Sequence, residues 1–272
     1  MLKDRVITAT LFILFVVACI FFLPSHWFAI LSGLFFSYAL WEWTKLAGLK
    51  SKNSRIAYLI LVPAGVFTSL CCLEWLERGR FFELMPLFAL LFWLLVPIFL
   101  FYFPKREKYW KSRTAGLIAG IFVLVPSWVA LNFLRNTDPM PIWILYVMVL
   151  VWVADIAAYF AGRRFGKHKL APKISPGKSW EGVVGALIAT LFVAIIGYFV
   201  LRLQWSMGAW LILNVLTVLV SITGDLFESA FKRVRNLKDS GSILPGHGGL
   251  LDRMDSLTAA LPIFAMGHFW LS

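Results

Sequence analysis

The sequence predicts an all-α, polytopic integral membrane protein with about nine transmembrane helices and a cytosolic N-terminus. Three observations carry this. Of the 272 residues, 15% are charged and 60% hydrophobic, whereas an ordinary soluble domain has about 25% charged and 45–50% apolar residues. Apolar stretches recur along the whole chain, most of them about 18 residues or more, long enough to cross a bilayer as a helix. Basic residues gather in every second connection between those stretches. In lipid, backbone polar groups must bond internally, which leaves helices or a closed barrel. These runs lack the alternating polarity a barrel needs, so helices remain.

The spans follow in order. The first, 6–23, comes after Lys3 and Arg5 and resembles a signal peptide, with Val16-Val17-Ala18-Cys19 faintly like a lipoprotein cleavage site. Ile20-Phe21-Phe22-Leu23 continues the apolar run where a mature secreted chain turns polar, so this segment reads as an uncleaved span. Pro24 separates it from the second, 26–46, where Glu42 stands between Trp41 and Trp43; this stretch is one helix or two shorter pieces. The third, 56–73, contains Cys71 and Cys72, which with Cys19 have neither zinc nor disulfide spacing. The remaining spans are 84–103, 115–134, 140–161, 180–201, 208–230 and 251–271. With no internal repeat or low-complexity linker, residues 1–272 read as one transmembrane domain. Its N-terminal spans occupy about 1–110, and the functional spans and cytosolic loops about 110–272.

Of the 26 Lys and Arg, all but Arg78, Arg80, Arg135 and Arg202 lie at the N-terminus, in the loops near 45–55, 104–114, 162–179 and 231–250, or at Arg253. Cytosolic loops concentrate Lys and Arg, so this distribution supports both the span count and the orientation, with the C-terminus outside. It also accounts for the formal charge of +12 without nucleic acid. The cations orient the chain and offer contacts to anionic lipids or substrate. Trp27, Trp75, Trp110, Trp143 and Trp205 fall at span ends, as interfacial anchors do.

Charges inside spans are costly, about 2.5–3.5 kcal/mol each on insertion scales, and point to function. Asp155 lies about two turns before the cytosolic end of the sixth span, Asp225 at a similar depth in the eighth, and Asp252 and Asp255 in the first turn of the ninth. Four carboxylates thus share one depth on one side. Asp155 alone reads more simply as a helix–helix hydrogen bond or a partner for a snorkelling arginine. Asp252 and Asp255, at i and i+3, share a helix face, where two carboxylates in low dielectric repel unless a cation sits between them. With no His or Cys cluster beside them, such oxygen ligands suit Mg²⁺, which binds one or two carboxylates plus substrate phosphates. Asp225, Ser229 and Lys232 also share a face, placing a ligand deep and a cation toward the cytosol.

Two loops add anion chemistry. In Leu244 to Ser256, LPGHGGLLDRMDS, the glycines Gly246, Gly248 and Gly249 permit a tight re-entry turn and place bare N–H groups before a helix N-terminus. Residues 162–182, GRRFGKHKLAPKISPGKSWEG, hold six Lys and Arg from Arg163 to Lys178, and place Ser175, Lys178, Ser179 and Glu181 at the mouth of the seventh span. That pattern suits phosphate capture. It is not a P-loop, because no strand precedes it and the glycine spacing is wrong.

These residues resemble the CDP-diacylglycerol synthase (phosphatidate cytidylyltransferase) family. The resemblance rests on Ser229-Ala-Phe-Lys232-Arg233, Lys238-Asp239, Pro245-Gly-His247-Gly-Gly249 and Asp252-Arg253-Met-Asp255, ungapped from 229 to 255. It extends upstream through Asp155, Tyr159, Gly162, Ile174-Ser175-Pro176, Lys178, Glu181-Gly182 and Gly224-Asp225, covering roughly residues 110–272. It implies a homodimeric helical membrane enzyme, in a bacterial inner membrane, that converts CTP and phosphatidic acid to CDP-diacylglycerol and pyrophosphate. It further implies that Asp225, Asp252 and Asp255 bind Mg²⁺, with a monovalent cation such as K⁺ alongside. Asp225, Asp252, Lys232 and Arg233 would then be catalytic. Ser175, Lys178, Ser229, Lys238, Asp239, His247, Gly248, Gly249 and Arg253 would bind substrate. His247 either donates a hydrogen bond or is structural.

The phosphate of phosphatidic acid is already ionised at neutral pH, so the implied chemistry needs positioning and charge neutralisation rather than a strong base. Two rivals stand against it. A CDP-alcohol phosphotransferase would carry Asp-Gly-x-x-Ala-Arg, which is absent, and its paired aspartates would be one residue further apart than Asp252 and Asp255. A transporter of anionic solutes would place its site near the midplane and show repeated halves. Here the polar cluster lies near one face and no repeat is visible.

Overall fold

The computed structural model describes residues 10, 14–63, 80–105, 107–137, 141–243 and 248–272, with the backbone alone at 80–86 and 107. Cys71, Cys72, Trp75 and His247 lie outside the described residues. The chain is helical nearly throughout these segments. Its helices are α1 (14–22), α2 (Ser25–Leu46), α3 (52–63), α4 (Arg80–Phe101), α5 (Glu107–Lys111) and α6 (Arg113–Arg135). They continue with α7 (Ile142–Phe165), α8 (Trp180–Val200), α9 (Met207–Val234) and α10 (Asp255–Leu271). Among the described residues, α6, α7, α8 and α9 are long and apolar enough to cross a membrane, and Leu87–Phe101 of α4 forms a shorter apolar helix.

Helix α8 displays the membrane character most directly. Gly182, Ala186, Thr190, Ala194 and Gly197, spaced by about one turn, are its buried residues. Val184, Ile188, Phe192, Ile196 and Phe199 are exposed. Small residues inside and large apolar ones outside invert the soluble pattern. Close packing of small residues is how helices associate where lipid removes the hydrophobic drive.

Local signals set the helix ends. Pro24 precedes α2, which is one unbroken helix through Glu42 and settles the choice between one helix and two. Ser112 caps α6 by accepting from the Ala115 N–H. Ser179 caps α8, its Oγ accepting from the Gly182 N–H at 3.2 Å. The 162–179 loop contains an antiparallel hairpin that the polarity pattern did not reveal: β1 (Lys169–Ala171) pairs with β2 (Ser175–Ser179), Lys169 opposite Ser179. Glu181 closes its base, accepting from the His168 N–H and lying 2.7 Å from His168 Nδ1.

Two apolar clusters fill the interior. One joins Trp43, Trp93, Trp110, Phe227 and Phe231. The other joins Trp143, Tyr146, Trp210 and Phe264. This corrects the reading of Trp110 and Trp143 as interfacial anchors. Trp110 is buried against Phe231, ring centroids 5.1 Å apart, and Trp143 stacks on Trp205 at 5.6 Å. A tryptophan at a helix end covers apolar area equally well against protein or lipid. Trp27, by contrast, is 56% exposed.

Candidate active site

Helices α7 and α8 pack closely on one another, as do α9 and α10, and α8 also packs on α9. The C-terminal ends of α7 and α9 therefore meet the N-terminal ends of α8 and α10. The side chains of Asp155, Asp225, Glu228, Lys232, Asp252 and Asp255, with Lys178 from β2, come together at this junction. Gly224 makes the approach of α9 to α10 possible. A Cβ there would stand 2.5 Å from Ala259 Cβ and 2.8 Å from the Asp255 carbonyl oxygen, so only glycine lets Asp225 come alongside Asp255.

The Asp225 carboxylate faces the hairpin. Lys178 Nζ lies 2.6 Å from Oδ2, and the Ser229 hydroxyl donates to Oδ1 at 3.2 Å. One turn on, Lys232 turns the other way. Its buried ammonium lies 3.1 Å from Glu228 Oε1 and donates to Asp252 Oδ1 at 2.8 Å. Asp225 and Ser229 share a face as expected, while Lys232 joins Glu228 and Asp252 instead.

Asp252 departs from expectation. It lies on a single 3₁₀ turn, Leu251–Arg253, and α10 begins only at Asp255. Met254 (φ −114°, ψ −7°) separates the two, so the carboxylates do not line one helix face. Asp252 points back toward the preceding loop instead. The Ser240 N–H donates to both its oxygens, at 3.1 and 2.9 Å, and the Gly249 N–H donates to Oδ2 at 2.8 Å. The N–H of Gly249, expected to be bare for phosphate, is committed to this carboxylate. Gly248 does require glycine, at φ +84°. Burial raises the Asp252 carboxyl. The Lys232 ammonium and the Gly249 and Ser240 N–H groups outweigh it and hold the group below the ordinary carboxylate range.

Asp255 lies close enough to Asp225, Lys232 and Lys178 for their charges to interact. Asp155 interacts likewise with Lys178 and Asp225, and the Ser256 hydroxyl is in hydrogen-bond reach of it. Arg233 points away from the acids: its Nε donates to the Ile174 carbonyl oxygen at 3.0 Å, fastening the end of α9 to the residue before Ser175. Ser175 is half-buried at the start of β2, and Lys238, Asp239 and Arg253 are exposed around the junction.

The sequence reading missed Glu228 and Ser240 and gave Glu42 no role. Glu228 carried a signal, being an acid one turn from Asp225 and one turn from Lys232. Five carboxylates and two lysines meet here, an excess of negative charge that calls for a cation. Among the described residues no group of three His, Cys, Asp or Glu forms a ready-made metal cage. The donors suit Mg²⁺ in kind, because that ion needs no all-protein cage and completes its shell with water and phosphate oxygens.

The cytidylyltransferase family profile matches residues 3–270. A phosphatidate cytidylyltransferase of Pseudomonas aeruginosa is 44% identical over 266 residues, covering 97% of this chain and 96% of that protein. One of Haemophilus influenzae is 40% identical over 289 residues, covering the whole of both chains. One of Staphylococcus haemolyticus is 35% identical over 279 residues, covering 96% and 97%.

Proposed function

Since the chain belongs to the cytidylyltransferase family, we propose that it is a phosphatidate cytidylyltransferase that makes CDP-diacylglycerol from CTP and phosphatidic acid for phospholipid biosynthesis. The observation that carries this reading is the joining of Lys178, Asp225, Lys232 and Asp252 from three separate segments at one end of the α7–α10 bundle. Acids that suit a divalent cation there adjoin lysines that suit phosphate.

In the reaction, an oxygen of the phosphatidic acid phosphate forms a bond to the α-phosphorus of CTP. The bond from that phosphorus to the bridging oxygen breaks, and pyrophosphate leaves with the electron pair. No protein nucleophile is needed. Lys178, released from Asp225 by an arriving phosphate, neutralises the nucleotide. Lys232, fixed between Glu228 and Asp252, keeps a positive charge beside the reacting phosphates. Arg233 holds the hairpin in register with α9, so Ser175 and Lys178 reach the substrate from a fixed base. Lys238 and Arg253 attract the leaving pyrophosphate from the rim. Asp225, Asp252 and Asp255 would hold Mg²⁺, which supplies neutralisation of phosphate charge when bound. A monovalent cation such as K⁺ beside it belongs to the same reading.

The membrane arrangement completes the proposal: nine spans, the N-terminus and site on the cytosolic side, and two copies of the chain per enzyme. The near-exclusive placement of Lys and Arg in alternate loops supports the orientation. Lipid substrate then enters sideways from the bilayer and nucleotide from the cytosol.

The test incubates purified protein with CTP labelled at the α-phosphate, Mg²⁺ and phosphatidic acid. Label should pass into the lipid phase with release of unlabelled pyrophosphate, and fail to do so when the metal is chelated. Uptake of solute into vesicles without lipid labelling would overturn the proposal in favour of a transporter.

A further inference from the structure

Glu42 lies near the C-terminal end of α2, fully buried between two tryptophans in sequence. A buried carboxylate is costly unless it is hydrogen-bonded, and among the described residues the bonds Glu42 has are all made by Oε2, while Oε1 accepts none. Its partners lie about 200 positions away. The Leu251 N–H donates to Oε2 at 2.8 Å, and the Ser240 hydroxyl donates to the same oxygen at 3.3 Å. Ser240 and Leu251 flank the loop that grips Asp252 through the N–H groups of Ser240 and Gly249. Gly249 rests directly on the acid, since a Cβ there would stand 2.7 Å from Glu42 Oε1.

We infer that Glu42 is a positioning residue for the active site. It bridges Ser240 and Leu251 from the N-terminal helices and fixes the loop whose backbone aims Asp252 at Lys232. One oxygen draws both ends of the loop together. The Ser240 side chain faces Glu42 while its N–H faces Asp252, so displacement at one is displacement at the other. The inference rests on the reading of Asp252 as an active-site carboxylate, and it gives the N-terminal part of the chain a share in positioning the site. Acting only through Asp252, Glu42 touches no substrate.

The experiment compares wild type, Glu42→Ala, Glu42→Gln and Asp252→Asn as purified full-length protein. It measures kcat and KM for both substrates and hydrogen–deuterium exchange in peptides covering 240–251, with α6 peptides as reference. Glu42→Ala should exchange faster at 240–251 alone and lose about 10- to 100-fold in kcat per folded molecule, with KM for phosphatidic acid unchanged. Glu42→Gln keeps one acceptor for the Leu251 N–H and should fall between alanine and wild type in both readouts. If the alanine variant does not fold, the glutamine variant carries the test alone. Wild-type loop exchange, or wild-type kcat per folded molecule, in the folded variant overturns the inference. An active Asp252→Asn would instead overturn the role of Asp252, leaving the exchange data to decide whether Glu42 orders the loop.

Discussion

Replacing Asp252 by asparagine tests the site most sharply, because it separates charge from shape at a residue with three donors. The carboxylate accepts from Lys232 Nζ at 2.8 Å, from the Ser240 N–H at 3.1 and 2.9 Å, and from the Gly249 N–H at 2.8 Å. An amide keeps one oxygen. With that oxygen toward Lys232, the new NH₂ faces the Gly249 N–H; turned over, it faces the Lys232 ammonium. Either way a donor meets a donor, and the negative charge between Lys232 and the loop is gone. Hydrogen bonds to charged groups contribute about 1.5–3 kcal/mol each. Breaking a fully buried ion pair costs about 3–5 kcal/mol. Lys232 retains Glu228 at 3.1 Å, so the lower range applies, and the expected loss of stability is about 1.5–3 kcal/mol.

The same exchange should lower kcat per folded molecule by about 100-fold or more, the cost of removing one preorganised electrostatic group. Thermal unfolding in detergent and steady-state assays on the folded fraction measure the two effects. Acid gives an independent check. The Asp252 carboxyl is depressed in the folded protein, so the stability it contributes is complete above its unfolded pKa of about 3.9 and is lost as pH falls through the folded value. The gap in midpoint between wild type and variant should narrow below about pH 4. Unchanged stability would refute the hydrogen-bond geometry. Lowered stability with wild-type kcat per folded molecule would leave Asp252 a brace for the loop and refute its place in the site.

Other substitutions probe the junction from its remaining sides. Gly224→Ala inserts a methyl 2.5 Å from Ala259 Cβ and should cost about 1–3 kcal/mol by overpacking while parting Asp225 from Asp255, seen as a lower Tm and lower kcat together. Lys178→Met removes the 2.6 Å pair with Asp225, whose side chains are 25% and 27% exposed. Stability should change by less than about 1 kcal/mol, while KM for CTP rises in steady-state assays. Arg235→Ala removes the donor to the carbonyl oxygens of Leu46, Ala47 and Lys111, so midpoint stability should fall by about 1.5–3 kcal/mol with kcat per folded molecule unchanged.

Much of the helical order was readable because apolar runs and their interruptions are local properties. Pro24, Ser112 and Ser179 mark helix starts in the chain itself, and α6 to α9 fall on the runs that predicted them. What lay beyond reading was the second body at each contact. Hydropathy cannot tell a ring against lipid from a ring against protein, which is why Trp27 and Trp143 looked alike and proved 56% and 3% exposed. The hairpin around Ile174 was hidden for another reason: its strands are of three and five residues, too short to show alternation.

The site divides along the same line. Asp225, Lys232, Asp252 and Asp255 stood out because a charge in an apolar run is anomalous by itself. Their pairing was not legible, since Lys178 meets Asp225 from 47 positions away and the partners of Asp252 are backbone N–H groups, which every residue has. Glu42 is the extreme case. Its anomaly was visible, an acid between two tryptophans, yet its partners are 198 and 209 positions away. A carboxylate so placed has no local use: it interrupts an apolar helix, caps no terminus and forms no pair with a neighbour one turn away. Its burial is offset only once α9 and α10 have packed and brought Ser240 and Leu251 onto it. The acid therefore couples completion of the fold to completion of the site. The loop that aims Asp252 can be in place only when the N-terminal helices are.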